Sequence, residues 1–216
     1  MKAINGKRMA VLVGCNYPNT EYELQGCFND VIAMKHMLIK RFGFDEKDIE
    51  LLSDEEGSSV LPTGANIKKA LGNMVDRAME GDVLYFYYSG HGTLIPSLKQ
   101  NEPHRKDEAI VPYDFNLITD HLSLERATKG DYGILLSGCQ SNETSADVSS
   151  EEGEGGEAHG AFSNAVQKVL EQNSGRLSNK EVVIMARKVL QEQMYKQHPC
   201  LYCSDKNADA TFLLQL

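Results

Sequence analysis

Three short β-prone runs, separated from one another by segments with helical periodicity, restrict this chain to a small set of folds. The runs are Met9–Cys15, Asp48–Leu52 and Val83–Tyr88. The segment after the first run keeps apolar residues on one helix face as far as Phe42, and the segment after the second begins at a capping threonine, Thr63. Strands that alternate with helices form βαβ units, so we predict an α/β fold with a mainly parallel twisted sheet flanked by helices.

The second half of the chain has weaker signals. Residues 93–131 are polar and are predicted to be irregular, whereas Gly133–Cys139 has the apolar composition of another strand. Residues 141–158 are rich in Ser, Gly and Glu, which predicts a flexible acidic loop. A capping box, Ser-Asn-Lys-Glu, starts the last helix at Ser178, and residues 209–216 are predicted to form a final strand.

Charge and cysteine content exclude several classes of protein. The chain has 31 acidic and 22 basic residues and a net charge of −9, which disfavours a nucleic-acid partner because phosphates require a basic face. No apolar run is long enough to span a membrane, so no membrane association is expected. Five cysteines are an odd and sparse number that favours reduced thiols and a cytoplasmic location. Cys200 and Cys203 lack a second pair of ligands, so we predict no metal site, and we expect no cofactor.

The strongest chemical signal is a histidine that follows the third β-prone run. The run ends in Ser89, Gly90, His91 and Gly92. In open α/β folds, ligands bind beyond the carboxyl ends of the strands, and flanking glycines leave an imidazole accessible there. His91 could therefore accept a proton from a thiol or hydroxyl near neutral pH, or it could be a turn residue that only bonds locally.

A second signal lies at the start of the first predicted helix. Cys27 and Asp30 are three residues apart and share a face of that helix. A carboxylate at a helix N-terminus is favoured by the helix dipole and could receive a cationic side chain. The spacing alone also fits a simple charge–dipole pair.

Several segments, in this order, resemble the metacaspases, in particular the plant type II class. The segments include VLVGCNYPNT, LQGCFNDV, PTGANIKKAL, YSGHGT, DEAIVPYDFNLITD, GILLSGCQSNETSADV and HPCLYCSDKNADATF. The likeness extends from Met9 to Leu216. It implies a caspase-like fold, and it implies a cysteine endopeptidase that cleaves after Arg or Lys with a Cys–His dyad. The expected partners are therefore peptides or proteins that contain Arg or Lys.

The resemblance also implies roles for individual residues. His91 matches the general base of the dyad. Cys27, Asp30 and Ser89 match positions that line the pocket for the basic side chain, where Asp30 would pair with the substrate cation. Residues 1–120 correspond to the large-subunit-like part, residues 121–132 to a short junction and residues 133–216 to the small-subunit-like part. The basic residues near position 105 would repel a divalent cation, so calcium dependence is not predicted.

The chain departs from the family pattern at the nucleophile. The family continues after NLITD with a central strand that ends in Asp-Ser-Cys-His-Ser-Gly-Gly, whereas this sequence has only twelve residues before GILLSGCQ and contains no Asp-Ser-Cys. We therefore predict a caspase-like sheet without one central strand and an impaired or inactive peptidase. Two alternatives are a non-catalytic binding protein and weak activity with Cys139 as a substitute nucleophile. The second requires the strand at Gly133–Ser137 to move beside Val83–Tyr88.

Overall fold

The structure is a computed structural model that describes residues 6–97, 106–119, 133–140, 143–151 and 157–213. Its central element is a three-stranded parallel sheet in the order β2-β1-β3. The strands are β1 (Arg8–Gly14), β2 (Ile49–Ser53) and β3 (Val83–Ser89). The predicted parallel α/β sheet is therefore confirmed.

Helices α1 (Cys27–Phe42) and α2 (Gly64–Asp76) connect these strands and cover opposite faces of the sheet. The predicted capping residue Thr63 accepts a hydrogen bond from the backbone of Asn66. Gly43 ends α1 in the left-handed conformation, with φ of 67°, which a glycine adopts without a steric penalty. No helix among the described residues is long and apolar enough to cross a membrane.

The middle of the chain is more regular than its sequence predicts. Strands β4 (Gly92–Pro96), β5 (Lys106–Ile110) and β6 (Ile118–Thr119) form a three-stranded antiparallel sheet. The prediction that residues 93–131 are irregular is wrong for these strands. Most of β4 faces solvent, so its sequence lacks the apolar alternation that identifies a half-buried strand.

In the described residues, the C-terminal part consists of two short antiparallel strand pairs and three helices. The elements are β7 (Leu135–Ser137), β8 (Asp147–Val148), β9 (His159–Gly160), α3 (Ala161–Gln172), α4 (Asn179–Glu192), β10 (Cys200–Tyr202) and α5 (Asp205–Asp209). Strand β7 pairs with β10, and β8 pairs with β9. The predicted capping box of α4 is present between Ser178 and Glu181.

The predicted final strand is wrong in the described residues. Ser204 caps the short helix α5 instead, by accepting a hydrogen bond from the backbone of Asn207. Thr211 then forms an isolated bridge with Ser178, and Phe212 is buried in the core. Residues 214–216 lie outside the described residues. As far as residue 213, where the described part of the chain ends, the tail is therefore held by packing and by single hydrogen bonds, without a strand ladder.

The N-terminal and C-terminal parts of the chain share one hydrophobic core. Ala10 and Leu12 of β1 pack in the same cluster as residues of α1, α3 and α4. A second cluster, between the other face of β1 and α2, is built from the N-terminal part of the chain. The parts predicted at residues 1–120 and 133–216 thus contribute to one core, and the junction predicted at 121–132 lies outside the described residues.

Strand β3 is more exposed than a strand of an α/β sheet usually is. It pairs with β1 along its full length, and no strand among the described residues pairs with its other edge. Leu84 and Phe86 are 40% and 39% exposed, although the matching residues of β1 are buried. In the metacaspase-like pattern a further strand would lie at this edge. The missing central strand stays a prediction.

Candidate active site

His91 lies just beyond the carboxyl end of β3, at the edge of the parallel sheet. Gly14 of β1 is in register with both Ser53 of β2 and Ser89 of β3, so the segments that follow the three strands meet at this edge. A Cβ atom at Gly90 would lie 2.5 Å from the hydroxyl of Tyr88. Glycine is therefore required there to bring the chain past Tyr88 to His91.

The backbone carbonyl of Tyr22 determines which nitrogen of the His91 ring carries the proton. The Nε2 atom lies 2.8 Å from that carbonyl oxygen. A carbonyl oxygen can only accept, so Nε2 is the protonated nitrogen and Nδ1 keeps its lone pair in the neutral ring. This tautomer is the one in which Nδ1 can accept a proton from a nucleophile.

Tyr17 holds both the ring and the backbone of His91. The two rings are stacked, with centroids 5.0 Å apart and an angle of 29° between their planes. The hydroxyl of Tyr17 accepts the backbone N–H of His91 at 3.0 Å and donates to the carbonyl of Val111 at 2.5 Å. Tyr88 adds a hydrogen bond of 3.1 Å from its hydroxyl to the carbonyl of His91. The stacking therefore holds the imidazole ring, and the two hydrogen bonds hold the backbone of His91.

Ser89 and Asp30, two of the predicted pocket residues, are in direct contact. The Ser89 hydroxyl donates to Asp30 Oδ2 at 2.7 Å, and the backbone N–H of Gly160 lies 3.1 Å from both carboxylate oxygens. Asp30 is only 2% exposed. Burial raises the pKa of Asp30 to about 7, although these hydrogen bonds oppose the shift. The carboxylate is thus covered by β9 and already has protein donors.

Cys27 also lies in this group but is not an activated thiol. The residue is only 3% exposed. Burial raises the pKa of Cys27 far above its usual value, and the charge of Asp30 raises it further. Burial likewise raises the pKa of Cys15, near the hydroxyls of Tyr17 and Tyr88. Both cysteines therefore remain protonated near neutral pH.

The strand before Cys139 does not pair as the hypothesis of a substitute nucleophile requires. Strand β7, which precedes it, pairs with β10, and β3 pairs only with β1 among the described residues. The hypothesis that this strand moves beside Val83–Tyr88 is therefore wrong. The thiol of Cys139 donates to the carbonyl of Glu143 at 3.5 Å, and burial followed by the charge of Glu143 raises its pKa. The antiparallel partnership with β10 was not apparent in the sequence, because β10 has only three residues.

Three residues that shape the site were not predicted from the sequence. Tyr17 and Tyr22 lie in the loop after β1, and Gly160 lies at the start of α3. A Cβ atom at Gly160 would lie 2.7 Å from Asp30 Oδ2, so only glycine allows this approach. Tyr17 and Tyr22 are 74 and 69 residues from His91 in the sequence, and the role of a backbone carbonyl leaves no signal in a sequence.

A parallel sheet with flanking helices and an imidazole at its carboxyl edge defines a caspase-like α/β protein. The fold agrees with the crystal structure of protein GSU0716 from Geobacter sulfurreducens, with a TM-score of 0.67 over 94% of this chain and 97% of that chain. The two sequences are 18% identical, so this likeness concerns the fold alone.

Two family descriptions match the sequence. The metacaspase peptidase C14 domain matches residues 8–127, and the caspase domain matches residues 123–210. The chain belongs to the metacaspase family and is a homologue of its cysteine peptidases.

The relatives include two proteins from Arabidopsis thaliana. The chain is 42% identical to Metacaspase-9, with 97% of each sequence covered, and 26% identical to Metacaspase-6, with 95% of this chain and 99% of that protein covered. The alignment with Metacaspase-9 extends over 320 positions, whereas this chain has 216 residues. The chain therefore lacks internal residues that Metacaspase-9 has.

Proposed function

We propose that this chain is a metacaspase homologue that retains the proton-accepting histidine but does not cleave peptides by thiol catalysis. One observation carries the proposal: in the part of the chain that the structure describes, the His91 ring bonds the Tyr22 carbonyl and makes its ring contacts with Tyr17 and Tyr22. Covalent catalysis requires a sulfur close enough for the imidazole to take its proton. Burial raises the pKa of the thiols of Cys15, Cys27 and Cys139, so none of the three is activated as a thiolate.

We expect the recombinant chain to cleave peptides with Arg or Lys before the scissile bond at no more than the uncatalysed rate. The measurement compares the release of a fluorophore by this chain and by Metacaspase-9 under the same conditions. His91→Ala and Cys139→Ala variants serve as controls, and neither should change the rate. Turnover comparable to that of Metacaspase-9, lost in the Cys139→Ala variant, would show that Cys139 acts as the nucleophile.

We also propose that the group formed by Cys27, Asp30 and Ser89 retains weak affinity for basic peptides. The contact between Ser89 and Asp30 supports a common pocket for these residues. A cation that reaches Asp30 must displace donors that already bond the carboxylate, and it can pair only with the ionised form.

The five cysteines, none of which forms a disulfide, support a cytoplasmic location.

The pKa of about 7 for Asp30 leads to a test of this binding. We expect affinity for an arginine peptide to increase from pH 6 to pH 8, because the carboxylate becomes ionised over that range. A matched peptide with citrulline, which is uncharged, should show no such increase. The measurement is isothermal titration calorimetry with the parent chain and with Asp30→Asn. If Asp30→Asn binds the arginine peptide as well as the parent does at pH 8, the proposed pocket does not exist.

A further inference from the structure

A buried carboxylate, Asp54, lies at the same edge of the sheet as His91 and has no place in the proton transfer described above. It directly follows β2, whose last residue is in register with the end of β1. Its two oxygens accept hydrogen bonds from two successive residues of the loop after β1. Oδ1 accepts the backbone N–H of Asn16 at 2.8 Å, and Oδ2 accepts the backbone N–H of Tyr17 at 2.7 Å.

Asn16, the first of the two residues that Asp54 bonds, closes the loop that carries the Tyr22 carbonyl. The Asn16 carbonyl accepts the backbone N–H of Leu24 at 2.8 Å, and its side chain accepts the backbone N–H of Cys27 at 3.0 Å. The residues between Asn16 and Leu24 thus form a closed loop whose two ends are joined by hydrogen bonds. Tyr22 lies in this loop, and its carbonyl bonds His91 Nε2.

The second residue, Tyr17, is held in an unfavourable backbone conformation. Its φ is 51°, in the left-handed region that a bulky side chain rarely adopts. In this conformation its ring is fully buried and stacks on His91, and its hydroxyl accepts the His91 backbone N–H. The bond from Asp54 to the Tyr17 N–H opposes relaxation of this strain.

We propose that Asp54 is a positioning residue for His91. It fixes the loop that supplies both the ring on which the imidazole stacks and the carbonyl that sets its tautomer. A carboxylate is suited to this role because it accepts two converging N–H groups, one at each oxygen. An asparagine at this position offers one acceptor oxygen and places an NH₂ group against the other N–H donor. The inference rests on the proposed role of His91 as the proton acceptor.

The test is the tautomer of the His91 ring in the full-length Asp54→Asn variant. The shifts of both ring nitrogens are read by ¹⁵N NMR through the carbon-bound ring protons. The chain has six histidines, so a His91→Gln variant assigns the signals. We expect the parent ring to be held as the Nε2–H tautomer. In Asp54→Asn the population with the proton on Nδ1 should rise about tenfold, which corresponds to about 1.4 kcal/mol.

Asp82 provides a matched control for a merely structural effect. Its carboxylate also accepts two backbone N–H groups, from Lys7 at 2.7 Å and from Met79 at 2.9 Å, but it directly precedes β3 at the opposite end of the sheet. Asp82→Asn should lower the melting temperature about as much as Asp54→Asn does, and it should leave the His91 signals unchanged.

Three results would overturn the inference: a mixture of tautomers in the parent, an unchanged ring tautomer in Asp54→Asn, or an equal change in Asp82→Asn.

A Tyr17→Phe variant distinguishes an effect of Asp54 that passes through the Tyr17 hydroxyl from one that passes through the loop backbone. It removes the hydroxyl but keeps the stacked ring and the backbone bond to Asp54, so we expect it to keep the parent tautomer. A tautomer shift in Tyr17→Phe as large as in Asp54→Asn would contradict the route through the loop. The peptide-cleavage assay tests the proposed function separately, because its result depends on the missing nucleophile and not on the tautomer of the His91 ring.

Discussion

The parent chain is expected to lose about 4 kcal/mol of stability between pH 4 and pH 8 through the titration of Asp30. The Asp30→Asn variant should not show this loss. Burial raises the pKa of Asp30 from 3.8 to about 7. Each pKa unit corresponds to about 1.36 kcal/mol of difference between the two protonation states. The effect is large beside a typical total stability of about 5–15 kcal/mol.

The direction follows from the proton balance of Asp30. The folded chain binds the proton more tightly than the unfolded chain, so the contribution of Asp30 is fully present below pH 3.8. It is lost as the pH rises toward 7, because an ionised carboxylate in this buried position is poorly solvated. Asp147, which lies near Asp30, raises the pKa further through its charge.

The measurement is the free energy of unfolding by urea at several pH values for the parent and for Asp30→Asn. The difference between the two proteins isolates the contribution of Asp30 from that of other titrating groups. At pH 4 the two stabilities should be similar, and at pH 8 the variant should be the more stable. Asp209→Asn, which changes an exposed carboxylate, should follow the parent. A constant difference between parent and Asp30→Asn across the range would show that Asp30 titrates normally.

The Leu190→Ala variant should be less stable by about 2–5 kcal/mol, which is the usual cost of truncating a fully buried leucine. Leu190 lies on α4 in the C-terminal part, is 0% exposed, and belongs to the same cluster as Ala10 and Leu12 of β1. The loss should therefore destabilise the N-terminal strands as much as the C-terminal helices, in one cooperative transition.

Hydrogen exchange provides the readout for this variant. The amides of β1 and of α4 should both lose protection by the factor that corresponds to the loss of global stability. Ile184, which is 40% exposed on the same helix, gives the matched control, and Ile184→Ala should change stability by no more than about 0.5 kcal/mol. If only α4 loses protection in Leu190→Ala, the two parts of the chain unfold independently.

Elements with a strong local signal could be predicted from the sequence. The bounds of α1, the capping residues Thr63 and Ser178, and the three parallel strands follow from apolar periodicity and cap chemistry. Strands β4 and β10 were missed, because pairing with a segment distant in the sequence stabilises them and their own composition is weak. Within the described residues the predicted final strand failed for a related reason, since Phe212 packs into the core and Thr211 forms only an isolated bridge with Ser178.

The sequence by itself determined that His91 lies at the carboxyl edge of a parallel sheet, that the family nucleophile motif is absent, and that the chain resembles the metacaspases. Only the tertiary structure decided what these residues contact. The carbonyl that orients His91 is 69 residues away in the sequence, and the N–H that covers Asp30 is 130 residues away. Both are backbone groups, which every residue has, so no side-chain pattern encodes them. Their positions follow from how the loops after β1 and before α3 pack at the edge of the sheet.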